Sequence, residues 1–315
     1  MKDFPGTIAL TGGTGFVGKQ LINALVNEGW RVRALTRKPG ILPQNANIKE
    51  IHGVLEDKQT LFELVAGTDT VIHAGARLYG RNWHEFESVN VNGTRNLINA
   101  IINQDQSPRI IYISSIAARE PSLSHYSASK RDGEKQLEDS TVSLNWQILR
   151  PPVVYGPGDK QTLNLFRQFS RGFSLELGSG GKFSMLYVDD LISAVRCLLL
   201  DKSRYSAIFE LDDGHPGGYC WNDVVMESGK KFNRTIKNIV VPKPAQYILA
   251  TAASITATLL RHPQVLNRGK INEMFHPDWI SRNNLLNEVT DWIPNVQLAE
   301  GISMTVDWYV EQGWL

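Results

Sequence analysis

The 315-residue chain has little of several features that would narrow its function. Its two cysteines, Cys197 and Cys220, are too few for a disulfide framework, and their spacing matches no metal site. The 33 basic and 32 acidic residues nearly cancel, so no basic surface for nucleic acid is indicated. The sequence enters a strand pattern close to its start, which predicts no signal peptide. We therefore expect a cytoplasmic protein with no metal centre and no nucleic-acid partner.

Long apolar runs are also scarce. The longest covers residues 245–260, contains several Thr and Ser residues, and is shorter than a bilayer-spanning helix requires. We expect a packed helix there and no membrane contact, with an interfacial membrane helix as the alternative. The hydrophobic content of 42% is ordinary for a globular protein, and it allows a substantial core.

A glycine-rich stretch near the start, Thr11–Gly18, is the strongest positive signal. It follows an apolar run that predicts a buried strand and precedes Lys19–Val26, which predicts a helix. A strand, a glycine turn and a helix in this order form a phosphate cradle, because the helix N-terminus offers free N–H groups and partial positive charge. Gly12 permits the tight turn, Gly15 admits a pyrophosphate, and Gly18 lets the helix pack closely. The stretch therefore predicts dinucleotide binding.

The rest of the first half alternates predicted strands and helices. This alternation predicts an α/β fold whose parallel sheet is buried on both faces. We expect a Rossmann-type, doubly wound parallel sheet over residues 1–156, with returns to it at about residues 185–212. Residues 157–315 should form a smaller, mostly helical C-terminal substrate lobe.

The end of the second predicted strand indicates which nicotinamide cofactor binds. An NAD site usually has a carboxylate about 20 residues beyond the glycines, where it bonds the ribose 2′-hydroxyl. This chain has Arg37 and Lys38 there instead. Both can pair with a 2′-phosphate. We therefore predict NADP, with NAD as the alternative.

Candidate catalytic residues follow the fifth predicted strand. Ser114 and Ser115 close that strand, and ligands bind at the carboxyl ends of parallel strands. Tyr126 and Lys130 are four residues apart, so they share one face of a predicted helix. A free tyrosine has a pKa near ~10, and a nearby ammonium group lowers that pKa. The pair therefore suits proton transfer at a carbinol or carbonyl oxygen.

Together, Thr11–Gly18, Ser115, Tyr126 and Lys130 resemble the short-chain dehydrogenase/reductase superfamily. Its extended branch includes nucleotide-sugar epimerases and dehydratases, hydroxysteroid dehydrogenases and flavonol reductases. Three further segments are similar to signatures of that branch: Asn90–Leu97, Leu149–Asp159 and Tyr187–Leu191. The resemblance spans residues 5 to about 212.

The resemblance implies hydride transfer to or from the nicotinamide C4. Tyr126 would be the general acid/base, Lys130 would tune it and hold the nicotinamide ribose, and Ser115 would bind the substrate oxygen, with Ser114 the second choice. The implied cofactor contacts are Gly12, Gly15, Phe16, Val17 and Gly18 at the pyrophosphate, Ala74, Gly75 and Ala76 beneath the cofactor, Asn90 towards the nicotinamide half, and Pro151, Pro152 and Val153 beside the nicotinamide ring. Ser114, Tyr126 and Lys130 are further cofactor contacts that the resemblance implies. The family's acidic adenine contact is replaced by Val54, which leaves Leu55 to pack on that ring. A homodimer through the helices that hold Asn96 and Tyr126 is also implied.

The substrate class is left open by these residues. Our first prediction is an alcohol dehydrogenase or carbonyl reductase acting on a small molecule, a secondary alcohol or ketone of hydrophobic character. A nucleotide-sugar epimerase is the second, although only ten residues separate Ser115 from Tyr126, fewer than in the sugar-nucleotide epimerases. A cofactor-binding sensor or assembly factor without catalysis is the third, and the intact Tyr126/Lys130 pair counts against it.

Overall fold

A computed structural model describes residues 5–140, 144–178, 180–201, 206–248 and 267–315. The chain divides into two compact units. The first comprises Met1–Pro121, His125–Arg150 and Val195–Phe209, and the second comprises Ser122–Ser124, Pro151–Ala194 and Glu210–Leu315.

The helices and strands follow one another along the chain. In order they are β1 Thr7–Thr11, α1 Phe16–Asn27, β2 Arg31–Thr36, β3 Ile48–His52, α2 Lys58–Val65, β4 Thr70–His73, α3 Trp83–Phe86, a π-helix Glu87–Asn92, α4 Gly93–Ile102, β5 Arg109–Ile113, a 3₁₀ helix Ile116–Arg119, α5 His125–Glu138, β6 Trp146–Arg150, β7 Val153–Tyr155, α6 Leu163–Ser170, β8 Phe173–Glu176, β9 Lys182–Phe183, β10 Met185–Tyr187, α7 Val188–Leu200, β11 Ala207–Glu210, α8 Trp221–Lys231, β12 Lys237–Val240, α9 Arg268–Met274, β13 Asp278–Trp279, α10 Leu286–Val289 and α11 Leu298–Glu311.

The first unit is built on a seven-stranded sheet in the order β11-β6-β5-β4-β1-β2-β3. The six strands from β3 to β6 pair in parallel, and β11 lies at the edge beside β6. The predicted Rossmann-type parallel sheet is therefore confirmed. The chain leaves β1 in one direction for β2 and β3 and then returns past β1 to β4. Ligands of such sheets bind at this switch point, outside the carboxyl ends of the strands.

The sheet is buried because its middle strands are apolar on both faces. Residues 8–10 of β1 are all fully buried, as expected where helices cover both sides. On one side, Ala9, Val71 and Ile110 are paired across three neighbouring strands, and together with Ile148 of β6 they share one core cluster with apolar residues of α2 and α4. The loops at the carboxyl ends of the strands therefore rest on a rigid base.

Several helices and strands begin or end at residues other than those predicted from the sequence. The first helix begins at Phe16 rather than Lys19, so the last residues of the glycine stretch form its first turn. Strand β5 ends at Ile113, because Ser115 accepts a hydrogen bond from Ala117 N at 3.2 Å and caps the 3₁₀ helix. The signature segment Asn90–Leu97 begins within the π-helix Glu87–Asn92 and continues into α4.

The second unit carries most of the C-terminal helices and three two-stranded parallel pairs. The pairs are β7 with β10, β8 with β12, and β9 with β13. The packed helix predicted over residues 245–260 lies mostly outside the described residues. No helix in the described ranges is long and apolar enough to cross a membrane. Cys197 and Cys220 are both free thiols.

Candidate functional site

The glycine loop after β1 has the shape of a phosphate cradle. Gly12 has a φ of +77°, and a Cβ there would lie 2.6 Å from the Ala74 carbonyl oxygen. A Cβ at Gly18 would lie 2.1 Å from Gly12 O. At Gly15, by contrast, a Cβ would have one near neighbour among the described residues, Gly12 O at 3.2 Å. Gly12 and Gly18 are thus required by the packing of the loop itself, whereas Gly15 leaves space for a ligand.

The first turn of α1 supplies the charge for that ligand. No side chain caps the helix at Gly15, and its first turn contains no acidic residue. The N–H groups of Phe16, Val17 and Gly18 belong to the first turn, whose N–H groups have no intrahelical partner, and the helix dipole favours an anion there. This end of α1 therefore fits the pyrophosphate of a dinucleotide.

A buried hydrogen-bond chain holds the neighbouring turn after β4. Thr11 Oγ1 lies 2.6 Å from His73 Nδ1 and accepts a hydrogen bond from Gly75 N at 3.1 Å. His73 Nε2 lies 3.0 Å from Thr94 Oγ1. The backbone of Ala74, Gly75 and Ala76 is thereby fixed beside the glycine loop. The sequence indicates the small residues of this turn but not the threonine and histidine that hold it.

His73 is fully buried, and its environment keeps it neutral. Burial lowers its pKa to about 3, and the charge of Lys130 contributes in the same direction. Because the folded-state pKa is depressed, the unfolded chain binds more protons between pH ~3 and ~6.5. The free energy of unfolding therefore falls as the pH is lowered through this window.

We expect His73→Gln to lessen this acid sensitivity, because glutamine fills the site without titrating. Between pH ~6.5 and ~3 the wild type should lose roughly 3–5 kcal/mol more stability than the variant. Urea unfolding at several pH values measures the difference. His84→Gln, which replaces an exposed histidine, is the control. Its free energy of unfolding should depend on pH as that of the wild type does. Parallel pH curves for wild type and His73→Gln would contradict the assignment.

Lys130 lies at the centre of the candidate catalytic group. Its Nζ donates hydrogen bonds to Tyr112 Oη at 2.9 Å and to Ile113 O at 3.0 Å. Burial lowers the pKa of Lys130 to about 7, and the negative charge of Glu134 opposes that shift. Burial also raises the pKa of Tyr112 well above its usual value, so its hydroxyl stays protonated. Tyr126 lies one turn earlier on α5 and is partly exposed.

The two serines after β5 have different surroundings. Ser114 is buried, and its hydroxyl donates to Glu134 Oε1 at 2.6 Å. Ser115 is partly exposed, and its oxygen accepts from Ala117 N. A hydroxyl that accepts one bond can still donate its own proton, so Ser115 is equipped to bond a substrate oxygen.

Asn90 joins two parts of the site. Its Oδ1 accepts from Arg77 N at 2.7 Å, and its Nδ2 donates to Arg77 O at 3.0 Å and to Ser129 Oγ at 2.9 Å. The side chain thus ties the chain after Ala76 to helix α5. Its approach to the nicotinamide half stays a prediction.

Arg37 and Lys38 follow β2 directly and are exposed. Glu50 shapes the loop beyond them by accepting from Gly40 N and Leu42 N, each at 2.7 Å. Thr36, just before Arg37, is buried, and its hydroxyl has no hydrogen-bond partner within the described parts of the chain. Thr36 is absent from the predicted contacts, although a hydroxyl at the end of a buried strand is a signal for it.

The remaining predicted contacts lie in two places. Leu55 is buried against Gly93, and its carbonyl accepts from Asn96 Nδ2 at 3.0 Å. Pro151 and Pro152 are buried and Val153 is exposed, where the second unit begins after β6. Their roles at the adenine and nicotinamide rings stay predictions. Among the described residues, no cluster of His, Cys, Asp or Glu could hold a metal ion.

The model for the NAD dependent epimerase/dehydratase family matches residues 8–209 of the chain. The chain belongs to this family. It is therefore an enzyme of the extended short-chain dehydrogenase/reductase type, and its cofactor is a nicotinamide dinucleotide. The glycine cradle and the open N-terminus of α1 fit that cofactor.

Individual relatives of this epimerase/dehydratase-family enzyme differ in chemistry. It is 32% identical to a ceramide reductase of Caulobacter vibrioides, over 99% of this chain and 97% of the relative. It is 29% identical to a UDP-glucose 4-epimerase of Vibrio cholerae, over 68% of this chain and 73% of the relative. The solved structure of MoeE5 in complex with UDP-glucose and NAD superposes with a TM-score of 0.76, covering 97% of this chain and 99% of MoeE5, at 21% identity. That last similarity shows the fold alone.

Proposed function

We propose that this enzyme uses NADPH to reduce a ketone on a hydrophobic, ceramide-like lipid. The observation that carries the proposal is the extent of the match to the ceramide reductase, which covers 99% of this chain, against 68% for the UDP-glucose 4-epimerase. The longer match includes the second unit, to which we assign substrate binding.

Three side chains of the first unit, Tyr126, Ser115 and Lys130, would carry out proton transfer and orient the ketone. The bound nicotinamide supplies the hydride. Tyr126 gives its phenolic proton to the ketone oxygen as that oxygen becomes a hydroxyl. Ser115 donates a hydrogen bond to the same oxygen and orients it. Lys130, when charged, stabilises the phenolate that remains on Tyr126 and lowers its pKa.

Net cofactor turnover tests this proposal. A purified sample is incubated with NADPH and either a ceramide-type ketone or UDP-glucose, and the absorbance of the reduced nicotinamide is followed. We expect stoichiometric NADPH oxidation with the ketone and none with UDP-glucose. Cofactor binding without turnover of either compound would contradict the proposal and favour a sensor.

A nucleotide-sugar epimerase is the second candidate. The observation that favours it is the match to the Vibrio cholerae UDP-glucose 4-epimerase, at 29% identity over 68% of this chain. An epimerase regenerates its cofactor within each turnover. Conversion of UDP-glucose to its C4 epimer without net NADPH consumption would therefore replace the ketone reductase proposal with this one.

Preference for NADPH over NADH is the finer part of the proposal, and Arg37 is its main support. Arg37→Ala should weaken NADPH binding roughly 10–100-fold, since a hydrogen bond to a charged phosphate contributes about 1.5–3 kcal/mol. Binding of NADH, which has no 2′-phosphate, should change little. Arg31→Ala, at the opposite end of β2, is the matched control. Equal losses for both cofactors would contradict the role of Arg37.

Two further predictions stand beside this function. The homodimer through the helices of Asn96 and Tyr126 stays a prediction, as does the cytoplasmic location.

A further inference from the structure

Glu134 is a fully buried carboxylate that the proposed chemistry does not use. It lies on α5 one helical turn beyond Lys130. Both of its oxygens are occupied. Oε1 accepts from Ser114 Oγ at 2.6 Å and Arg150 Nε at 2.9 Å, and Oε2 accepts from Arg150 Nη2 at 2.6 Å and Arg131 Nη1 at 3.2 Å.

These bonds join three elements at one point. Ser114 directly follows β5, Arg150 ends β6, and Glu134 itself belongs to α5. Bidentate pairing with an arginine fixes the plane of the carboxylate as well as its position. The helix that carries Tyr126 and Lys130 is therefore fastened to the carboxyl ends of two strands beside the candidate site.

Glu134 also completes the electrostatic surroundings of Lys130. The titratable and charged groups linked to this lysine or to Glu134 on neighbouring elements are His73 on β4 and Tyr112 on β5, which are both neutral, and Arg150 on β6, which pairs with Glu134. On α5 itself they are Glu134, Arg131, which also pairs with Glu134, and Tyr126, one turn before Lys130. The direct hydrogen-bond partners of the amine are also uncharged, namely Tyr112 Oη and Ile113 O. Among these groups, Glu134 is the one that favours the charged amine.

We propose that Glu134 is a positioning residue for the ketone reduction: its carboxylate fastens α5 to β5 and β6 and supplies a negative charge that favours the protonated form of Lys130. The role rests on the proposed function, because Lys130 is assigned there to stabilise the phenolate of Tyr126. Its measurable consequence in the protein does not depend on any substrate.

The first test measures the titration of Lys130 in the cofactor-free protein. Lysine Cε resonances are followed by NMR in isotope-labelled protein, and the Lys130 signal is assigned by its loss in Lys130→Met. In Glu134→Gln we expect the Lys130 midpoint to fall by about one pH unit, because an opposing charge is removed. Glu134→Asp keeps the charge and should restore the wild-type midpoint.

Glu138→Gln is the matched control. Glu138 lies one turn further along α5 and pairs with Arg131, so its loss also breaks an ion pair on the same helix. This variant should leave the Lys130 midpoint unchanged. An unchanged midpoint in Glu134→Gln as well would overturn the proposal, even if that variant were less stable.

The second readout is the pH profile of ketone reduction. The alkaline limb of kcat should shift to lower pH in Glu134→Gln, so kcat falls about tenfold near pH ~8 and little near pH ~6. An equal loss at both pH values indicates a merely structural role and overturns the proposal. If no ketone is turned over by the wild type, the NMR titration still decides the role of Glu134, so the two failures are distinguishable.

A second variant covers the case in which Glu134→Gln does not fold, since removing one member of a buried ion pair is costly. Arg150→Met removes the main partner of Glu134 and leaves its charge less compensated. The Lys130 midpoint should then rise. A fall of the midpoint in Arg150→Met would overturn the proposal.

Discussion

Tyr126→Phe is expected to lower ketone reduction roughly 10²–10⁴-fold, the usual contribution of a positioned proton donor. The variant keeps the ring and its packing but cannot give a proton to the substrate oxygen. NADPH binding should change little, because the glycine loop and the α1 N-terminus are untouched. Steady-state kcat and a fluorescence titration with NADPH measure the two effects.

Tyr247→Phe is the control for this variant. It removes a tyrosine hydroxyl that donates to Asn272 Oδ1 at 2.7 Å, from a half-buried residue to which we assign no role in proton transfer. We expect its kcat to stay within about twofold of the wild type, since the loss of one such hydroxyl usually has a small effect. A Tyr126→Phe enzyme as active as Tyr247→Phe would show that another group moves the proton.

The second large effect concerns the glycine loop, where two alanine substitutions should have opposite profiles. Gly12→Ala places a methyl group 2.6 Å from Ala74 O and forces alanine to a φ of +77°, so we expect a loss of several kcal/mol in stability or no folded protein. Gly15→Ala has an ordinary φ of −76°. It should change stability by less than about 1 kcal/mol.

The same Gly15→Ala variant should bind NADPH at least tenfold more weakly, because its methyl group lies where the backbone is expected to approach the pyrophosphate. Thermal unfolding and cofactor titration separate the two effects. Gly67→Ala, with a φ of +63° and no atom within 4 Å of the added Cβ, isolates the cost of positive φ from that of a clash. Wild-type affinity for NADPH in Gly15→Ala would refute the assignment of this loop as the pyrophosphate site.

The fold could be predicted because its signals are local. The glycine loop, its flanking strand and helix, and the alternation of strands with helices are each contained in short windows of sequence. The parallel order follows from that alternation, since short strands joined by helices pair in this way. The ends of elements were less predictable. Ser115 follows an apolar run and was predicted to close the strand, but it caps the 3₁₀ helix Ile116–Arg119 instead.

The surroundings of Lys130 could not be predicted, because they depend on the register between α5 and the sheet. Tyr112 and Lys130 are separated by 18 residues, and Ser114 and Glu134 by 20. The i, i+4 rule identified the shared face of Tyr126 and Lys130. It contains no information on which residue of β5 meets that face.

The choice between Ser114 and Ser115 depends on the same register. Consecutive residues of an extended chain point to opposite sides, so only one of two adjacent serines can face a given neighbour. In the structure Ser114 meets Glu134, and Ser115 is left to cap the 3₁₀ helix. The family resemblance favoured Ser115 over Ser114 as the residue that binds the substrate oxygen. The hydrogen bonds give a physical reason for this preference, because the Ser114 hydroxyl already donates its proton to Glu134 whereas Ser115 only accepts.

We propose that this enzyme transfers a hydride from NADPH to a ketone carbon while Tyr126 gives the proton. The most direct measurement uses NADPH deuterated at the nicotinamide C4 and mass spectrometry of the product formed from a ceramide-type ketone. We predict one deuterium on the carbinol carbon of the product, and roughly 10²–10⁴-fold slower formation of this product by Tyr126→Phe under the same conditions. Two results would contradict this mechanism. One is a product that contains no deuterium whichever of the two C4 hydrogens of NADPH is replaced, and the other is labelled product from Tyr126→Phe in the same amount as from the wild type.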